Sequence, residues 1–369
     1  MEGLGQIVST GKMLSKEEIS RYSRHIILSG IGMVGQEKLK QAKVLVIGAG
    51  GLGCPVLQYL VSAGAGVIGI ADGDVVDETN LQRQILYSSE DVGKPKVEIA
   101  KQKLSLLNPF CKLRTFNCRL SSANALEIIK EYDFVIDGSD NFPTRYLMND
   151  ACVMLSKPFV SGSIFKFEGQ VSVFNYKSGP TYRCLFPEPP QNSPNCAEVG
   201  VLGVLPGMIG TMMANEALKI ILGIGNILSG KLFVLDALNM QTQIISFEKN
   251  TGNEKIKLLT DYELFCSTDK ENSISKKISS AELKQMINDK ADFQLIDVRE
   301  KPEYLISNIK GENIPLALIE KNIDRISRSR KVVIHCKSGA RSRKAIDLLE
   351  KKYGFTNLYN LSGGIDAWK

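Results

Sequence analysis

The chain has 369 residues, of which 43% are hydrophobic and 23% are charged, and its formal net charge is +6. This length predicts two or three domains, and the composition is typical of a globular protein rather than of a disordered or fibrous one. Residues 1–12 lack a secretion signal, and no uncharged run reaches the length of a membrane span, so we expect a cytoplasmic protein whose eight cysteines are reduced thiols.

The N-terminal segment, residues 1–42, is predicted to be helical in its second part. Ser15 and Glu18 have the spacing of a helix capping box, and the apolar-periodic run ISRYSRHIIL follows them. From Lys43 onward, short apolar runs alternate with longer amphipathic segments. This alternation predicts an α/β fold, with parallel strands joined by helices.

Residues 44–60, VLVIGAGGLGCPVLQYL, carry a GxGxxG pattern between a predicted strand and a predicted helix. Gly48, Gly50 and Gly53 form this pattern, which lets the backbone approach a phosphate group at the N-terminus of the helix. Asp72 ends the next predicted strand, where its carboxylate can accept hydrogen bonds from ribose hydroxyls. These residues alone favour an NAD-dependent dehydrogenase.

The following segment favours a nucleoside triphosphate instead. Asn80, Arg83 and Lys96 come after the acidic position, and two added cations suit a leaving pyrophosphate whose charge must be neutralised. Asp140 and Asn141 follow a later strand, FVID, and a carboxylate at the carboxyl end of a strand suits Mg²⁺ bound to phosphate oxygens. Asp140 could instead cap the following helix, and Asn141 would serve as well in that role.

Residues 263–277 are predicted to be a linker, because this stretch is mostly polar and charged. Residues 278–369 then form a second, smaller alternation, with FQLIDV, KVVIHC and NLYNL as strands. From residue 270 onward the chain holds 20 Lys and Arg against 13 Asp and Glu. This basic segment lacks the interleaved aromatic residues of a nucleic-acid-binding site, so we expect no nucleic-acid partner.

Cys336 is the first residue of the loop CKSGAR, between a predicted strand and a predicted helix. Backbone N–H groups in such a loop lower the pKa of a thiol and stabilise an anion bound at its sulfur, and we expect Arg341 to close the loop. Four residues separate Cys336 from Arg341, one fewer than in the cysteine phosphatases. The shorter loop suits a persulfide sulfur better than a tetrahedral phosphate.

Residues 15–265 resemble the MoeB/ThiF family, whose members are relatives of the ubiquitin-activating enzymes. The resemblance rests on RYSRHIIL, GAGGLG, ADGDVVDETNLQRQ, VGKPKVE, DGSDNFPTRY and GVLGVLPGMIG. It implies a homodimer that uses ATP to adenylate the C-terminal glycine of a small ubiquitin-like sulfur carrier ending in Gly-Gly. The implied site residues are Gly51 and Asp72 for the nucleotide, Asn80, Arg83 and Lys96 for its phosphates, Asp140 for Mg²⁺, and Arg24 for the ATP site of the partner subunit.

Family members often bind a structural zinc ion through two CxxC pairs, and this chain departs from that pattern. Thr181 stands where the first pair would begin, with Cys184 as its second member, and no second pair follows ISFEKN. Because a structural zinc ion needs four N or S ligands, we expect no zinc.

Cys196 lies in the proline-rich stretch PEPPQNSPNCAEVGVLG. On residue type alone it is an exposed loop thiol without a function. The resemblance, however, matches it to the cysteine that some family members use in a transient link to the carrier. Both interpretations stay open at this point.

LIDVREKPEY, NIPL and LSGGIDAW resemble a rhodanese domain over residues 278–369. Where that family usually has Gly-His, this chain has Ser307-Asn308, and we expect a local structural change without loss of the chemistry of Cys336. The two resemblances predict a Rossmann-like ATP-binding domain with a mixed sheet over residues 43–262, followed after the linker by a smaller α/β domain.

The predicted function joins the two domains in one reaction sequence. The first domain makes an acyl-adenylate of the carrier, and a persulfide on Cys336 attacks it, with reductive release through Cys196. Cysteine desulfurase or thiosulfate would supply the sulfur, in molybdopterin, thiamine or a related pathway. One alternative is an activating enzyme with a lasting thioester at Cys196, and the other is a nicotinamide-dependent redox enzyme, which Arg83 and Lys96 disfavour.

Overall fold

The computed structural model describes residues 13–190, 200–266 and 276–368. The chain divides into two compact units, Met1–Thr268 and Asp269–Lys369. In the described residues, no helix combines the length and the apolar character that a membrane crossing requires.

The first unit alternates strands and helices in chain order. Its strands are β1 Lys43–Ile47, β2 Val67–Ala71, β3 Lys112–Phe116, β4 Phe134–Asp137, β5 Phe159–Phe165, β6 Glu168–Phe174, β7 Lys231–Asp236 and β8 Gln241–Ser246. Its described helices are α1 Lys16–Arg21, α2 Ser23–Ile26, α3 Gly32–Gln41, α4 Gly53–Ala63, α5 Lys96–Leu107, α6 Ala125–Ile129, α7 Phe142–Met154, α8 Tyr182–Leu185, α9 Leu205–Leu222 and α10 Tyr262–Cys266. Short 3-10 helices cover Glu78–Asn80, Ser89–Asp91, Tyr176–Ser178 and Thr251–Glu254.

The eight strands form one mixed sheet in the order β3-β2-β1-β4-β5-β6-β7-β8. Neighbouring strands are parallel from β3 across to β5 and antiparallel from β5 to β8. The predicted mixed α/β sheet is therefore confirmed. The order reverses between β1 and β4, so the loops after these two strands open a crevice at their carboxyl ends, where open α/β sheets bind ligands.

Residues of β1 show why this sheet is covered on both faces. Val44 and Val46 are fully buried in one apolar cluster, which also contains residues of α4 and α9. Leu45 and Ile47 are buried in a second cluster with residues of α6 and α7. Because successive side chains of a strand point to opposite faces, an apolar run such as KVLVI supplies both clusters at once.

The predicted capping box at the start of α1 is present. The backbone N–H of Glu18 donates to Ser15 Oγ at 3.2 Å, and the backbone N–H of Ser15 donates to Glu18 Oε2 at 2.7 Å. These two bonds satisfy N–H groups that the first turn of a helix leaves without partners.

The second unit is smaller and has a parallel sheet. Its strands are β9 Lys276–Ile278, β10 Phe293–Asp297, β11 Glu312–Asn313, β12 Lys331–His335 and β13 Leu358–Leu361, in the order β11-β10-β12-β13-β9. Its helices are α11 Ser280–Asn288, α12 Lys301–Ile306 and α13 Ala340–Tyr353, with 3-10 helices at Leu316–Leu318, Glu320–Arg325 and Gly364–Trp368. The central strand β12 ends directly before Cys336.

Candidate functional site

The loop after β1 and the loop after β4 pack backbone against backbone. Gly48 has a φ of +88°, and a Cβ atom on it would lie 2.7 Å from the carbonyl oxygen of Gly138. A Cβ atom on Gly53 would overlap the carbonyl oxygen of Gly48. Only glycine fits these two positions, so the GxGxxG pattern builds a tight turn at the mouth of the crevice.

Asp72 fastens this glycine loop to the end of β2. Its carboxylate accepts hydrogen bonds from the backbone N–H of Ala49 and of Asp74, both at 2.8 Å. Burial raises the pKa of Asp72, and the nearby Lys96 and the two N–H donors oppose that shift. This structural role could not be predicted from the sequence, because it depends on a contact between two loops.

Arg83 and Lys96 lie beside the same loop. The Cγ atom of Arg83 lies 3.7 Å from the place of a Cβ atom on Gly51, and its Nη1 donates to the Thr79 carbonyl at 3.0 Å. The Lys96 side chain is buried, with Nζ 3.7 Å from an Asp74 carboxylate oxygen. A buried ammonium group held this loosely has capacity for a further anionic partner.

Asn80 closes the 3-10 helix that precedes Arg83. Its side-chain oxygen accepts a hydrogen bond from the backbone N–H of Asp77 at 3.3 Å, so its amide N–H groups remain as donors. The structure thus gathers the glycine loop, Asp72, Asn80, Arg83 and Lys96 at one end of the parallel strands.

The structure decides which residue caps α7. Asn141 Oδ1 accepts a hydrogen bond from the backbone N–H of Thr144 at 2.9 Å, which makes Asn141 the N-cap. Asp140 therefore does not cap the helix, and its exposed carboxylate lies just after β4. In the described part of the chain, no group of three or more His, Cys, Asp or Glu could hold a metal ion, so Mg²⁺ at Asp140 would need phosphate oxygens as further ligands.

Asp137 and Arg145 form contacts within the crevice that the sequence did not reveal. Asp137, fully buried at the end of β4, accepts hydrogen bonds from the hydroxyls of Ser139 and Ser161 at 2.6 and 3.0 Å. Arg145 lies one helical turn after the N-cap of α7, with Nε 3.9 Å from Asp137 and Nη2 donating to the Ser139 carbonyl at 3.1 Å. Arg145 could have been identified from its position one helical turn after the predicted cap. It also lines a small polar cavity with Gln170.

Two further predicted residues are Arg24 and Cys196. Arg24 is exposed on the short helix α2. Cys196 lies outside the described residues.

In the second unit, Cys336 is almost completely buried beneath its own loop. The backbone N–H of Gly339 donates to Cys336 Sγ at 3.1 Å, and the hydroxyl oxygen of Ser342 lies 3.6 Å from the same sulfur. Gly339 has a φ of +99° and precedes α13 directly. A donor at the start of a helix is the arrangement that stabilises a negatively charged sulfur.

Asn360 supports this loop from the neighbouring strand β13. Its Nδ2 donates to the Gly339 carbonyl at 3.0 Å, and its Oδ1 lies 2.7 Å from the Ser342 hydroxyl oxygen. Asn360, Gly339 and Ser342 are all buried, and these hydrogen bonds hold the second half of the loop against β13.

Arg341, which we expected to close the loop, pairs with Glu303 on α12. Its Nη1 and Nη2 donate to the two carboxylate oxygens of Glu303 at 2.6 and 2.8 Å, and the arginine keeps the pKa of Glu303 below its usual value. The guanidinium group is thus engaged by α12, and the sulfur is held by Gly339 and Ser342.

A second ion pair lies behind the loop. Arg299 donates through Nε and Nη2 to the buried carboxylate of Asp297, and its Nη2 also donates to the Ser307 carbonyl at 2.7 Å. The Ser307-Asn308 departure from the rhodanese pattern thus keeps a backbone contact with this pair. His335, at the end of β12, is fully buried, and burial lowers its pKa.

Family models match both units of the chain. The ThiF family model matches residues 22–256, and the rhodanese-like domain model matches residues 279–369. The crystal structure of E. coli MccB has a TM-score of 0.57 to this chain at 22% identity, covering 65% of this chain and 73% of that one. This likeness shows that the first unit shares its fold.

Curated relatives match most of the chain. The adenylyltransferase/sulfurtransferase MoeZ of Mycobacterium tuberculosis is 44% identical over 99% of this chain and 96% of its own. The adenylyltransferase and sulfurtransferase MOCS3 of Culex quinquefasciatus is 42% identical over 96% of this chain and 88% of its own. The sulfur carrier protein adenylyltransferase of Thermus thermophilus is 51% identical over 68% of this chain and 98% of its own.

Proposed function

This chain belongs to the ThiF family and ends in a rhodanese-like domain, and we propose that it adenylates a small ubiquitin-like sulfur carrier and then transfers sulfur to it. The observation that carries the proposal is the match to relatives named adenylyltransferase/sulfurtransferase, which spans both units and 99% or 96% of the chain. Like them, the chain is an adenylyltransferase and sulfurtransferase.

The first step is an attack of the carrier's C-terminal carboxylate on the α-phosphorus of ATP, which gives an acyl-adenylate and pyrophosphate. Gly48, Gly50, Gly51, Gly53 and Asp72 would hold the nucleotide, while Asn80, Arg83 and Lys96 would contact its phosphates, together with Asn141 at the edge of the site. The grouping of these residues around one crevice supports this assignment. Asp140 would bind Mg²⁺, which when present neutralises phosphate charge.

The second step takes place at Cys336. The Cys336 thiolate would attack the sulfane sulfur of thiosulfate or of a cysteine desulfurase persulfide, which releases sulfite or the desulfurase thiolate. Gly339 and Ser342 would stabilise the resulting persulfide anion. The terminal sulfur of the Cys336 persulfide then attacks the acyl carbon and displaces AMP, which leaves the carrier bound as an acyl disulfide. Attack of the Cys196 thiolate on the Cys336 sulfur would release the carrier thiocarboxylate, and a cellular thiol would reduce the Cys196–Cys336 disulfide.

We further propose that the enzyme is a cytoplasmic homodimer in which Arg24 contacts the ATP bound by the partner subunit. The exposed position of Arg24 on α2 is compatible with this role. A dimer whose sites each use a residue from the other chain requires both copies for activity.

A pair of variants tests the whole proposal. In Asp140→Ala, carrier-dependent exchange between ATP and pyrophosphate should fall about 10²–10³-fold, because one electrostatic contact of this kind contributes ~3–4 kcal/mol to the transition state. Transfer of sulfur from thiosulfate to cyanide should remain, since Cys336 belongs to the other unit.

Cys336→Ser should give the reverse pattern, because a hydroxyl group cannot carry a sulfane sulfur. Formation of the thiocarboxylate, followed by mass spectrometry of the carrier, should be lost in both variants. Thiocarboxylate formation at the wild-type rate in Cys336→Ser would refute the persulfide mechanism. A stable thioester at Cys196 without any thiocarboxylate would point instead to a conjugating enzyme.

A further inference from the structure

Four residues with the spacing of two CxxC pairs converge at one corner of the first unit, and only one of them is a cysteine. Thr181 and Cys184 bracket the start of α8, and Asn250 and Asn253 have the same spacing after β8. In the sequence, Asn250 and Asn253 gave no hint of a site, because neither is a cysteine or a histidine. The structure brings all four positions together.

Cys184 lies at the centre of this group. Its sulfur accepts hydrogen bonds from the backbone N–H of Thr181 at 3.4 Å, the backbone N–H of Asn250 at 3.3 Å and the side-chain amide of Asn253 at 3.6 Å. The hydroxyl oxygen of Thr181 is also 3.4 Å away. Although burial opposes it, these hydrogen bonds lower the pKa of Cys184 below its usual value.

Two separations at this corner are close to those of a tetrahedral metal site, but the residue types do not suit one. Zinc binds thiolate sulfur at ~2.3 Å, so two sulfurs on one tetrahedral ion lie ~3.8 Å apart. The Cys184 sulfur lies 3.4 Å from Thr181 Oγ1 and 3.6 Å from Asn253 Nδ2, which are similar separations. A hydroxyl and two amides cannot replace three thiolates as zinc ligands, so the residues present do not fit the ion.

A second set of contacts holds the same corner. Arg183, next to Cys184, donates to both carboxylate oxygens of Asp150 at 2.7 Å, and the Tyr262 hydroxyl donates to Asp150 at 2.7 Å. The segment after β8 is thus attached to the unit at Asn250 and Asn253 and again at Tyr262.

We propose that Cys184 and its donors form a hydrogen-bonded clasp that replaces a structural zinc ion and fastens residues 250–253 to α8. The chain then folds without zinc, although the four positions keep the spacing of two CxxC pairs. This inference does not depend on the proposed catalytic function.

Introducing three thiols tests whether the four positions can hold a zinc ion. The variant Thr181→Cys/Asn250→Cys/Asn253→Cys, produced with zinc in the medium, should contain about one zinc per chain by elemental analysis, and a chelator should lower its Tm. Wild-type protein should contain no stoichiometric zinc and keep its Tm in chelator. Adding Cys184→Ala to the triple variant should abolish binding. One zinc per wild-type chain, or none in a folded triple variant, would overturn the inference.

Hydrogen exchange tests the clasp itself, even if the triple variant does not fold. Amide exchange in a peptide containing Asn250 should become at least tenfold faster in Cys184→Ala, because the N–H group of Asn250 loses its acceptor. Cys184→Ser, which keeps an acceptor at this position, should exchange more slowly than Cys184→Ala. Equal exchange in wild type and Cys184→Ala would show that Cys184 fastens nothing.

Discussion

Replacing Glu303 with glutamine should make thiosulfate a better sulfur donor at Cys336. Glu303 holds both terminal nitrogens of Arg341, at 2.6 and 2.8 Å, and so cancels the positive charge of the arginine that belongs to the Cys336 loop. Arg299, behind the loop, is likewise neutralised by Asp297. A small dianion that approaches the sulfur therefore meets two arginines whose charges are already compensated.

Coulomb's law gives the size of the effect. Two unit charges ~7 Å apart interact by ~0.6 kcal/mol in water, so removing the Glu303 charge should favour a dianion by ~1.2 kcal/mol. This corresponds to a roughly sevenfold lower KM, since ~1.4 kcal/mol is a factor of ten. Glutamine keeps one acceptor for Arg341, so kcat should change little.

The assay is sulfur transfer from thiosulfate to cyanide, with KM and kcat measured at low salt. Glu320→Gln is the matched control: Glu320 accepts a hydrogen bond from Tyr353, at the far end of α13 from the loop, ~20 Å away for a helix of this length. An unchanged or higher KM in a Glu303→Gln protein with near-normal Tm would refute the reasoning, because Glu303 would then serve to orient Arg341. If the wild-type protein transferred no sulfur from thiosulfate to cyanide, that result would instead contradict the proposed function.

Three further predictions follow from the same geometry. A mixed dimer of Arg24→Ala and Asp140→Ala chains should regain activity at one of its two sites, and a fully inactive mixture with proven subunit exchange would show that Arg24 does not act across subunits. The ion pair with Arg341 lowers the pKa of Glu303 from 4.5 in the folded protein, so the pair should stabilise the fold above pH 4.5. The Tm difference between wild type and Glu303→Gln should decrease below pH 4.5 and disappear once the pH falls below the lowered pKa. Gly53→Ala, whose Cβ atom would overlap the Gly48 carbonyl, should lose nucleotide binding in a titration with ATP, whereas Gly207→Ala, at an open position, should retain it.

The sequence was most informative where the chemistry depends on neighbouring residues. The glycine pattern, the acidic residue after β2 and the cysteine after β12 each lie within a few residues of the strand end that positions them. In contrast, the sequence could not decide between Asp140 and Asn141 as the cap of α7. Both residue types cap helices well, and the choice depends on one backbone conformation.

Contacts between distant parts of the chain could not be predicted from the sequence. Arg341 and Glu303 are 38 residues apart, and Cys184 and Asn250 are 66 apart. Each pair meets only because the sheet brings its segments together, and no periodicity or motif records such a meeting. The unexpected partners of Arg341 and Cys184 were therefore found only in the structure.

The two candidate sites share one feature of parallel sheets. In the first unit the strand order reverses between β1 and β4, and in the second it reverses between β10 and β12. At such a point the two loops diverge to opposite faces and leave a crevice between them. The loop after β10 leads into α12 with Glu303, and the loop after β12 contains Cys336 and leads into α13 with Arg341. Glu303 can therefore reach the Cys336 loop because the strand order reverses there, and a change on α12 can alter donor choice while the sulfur and its backbone donor stay in place.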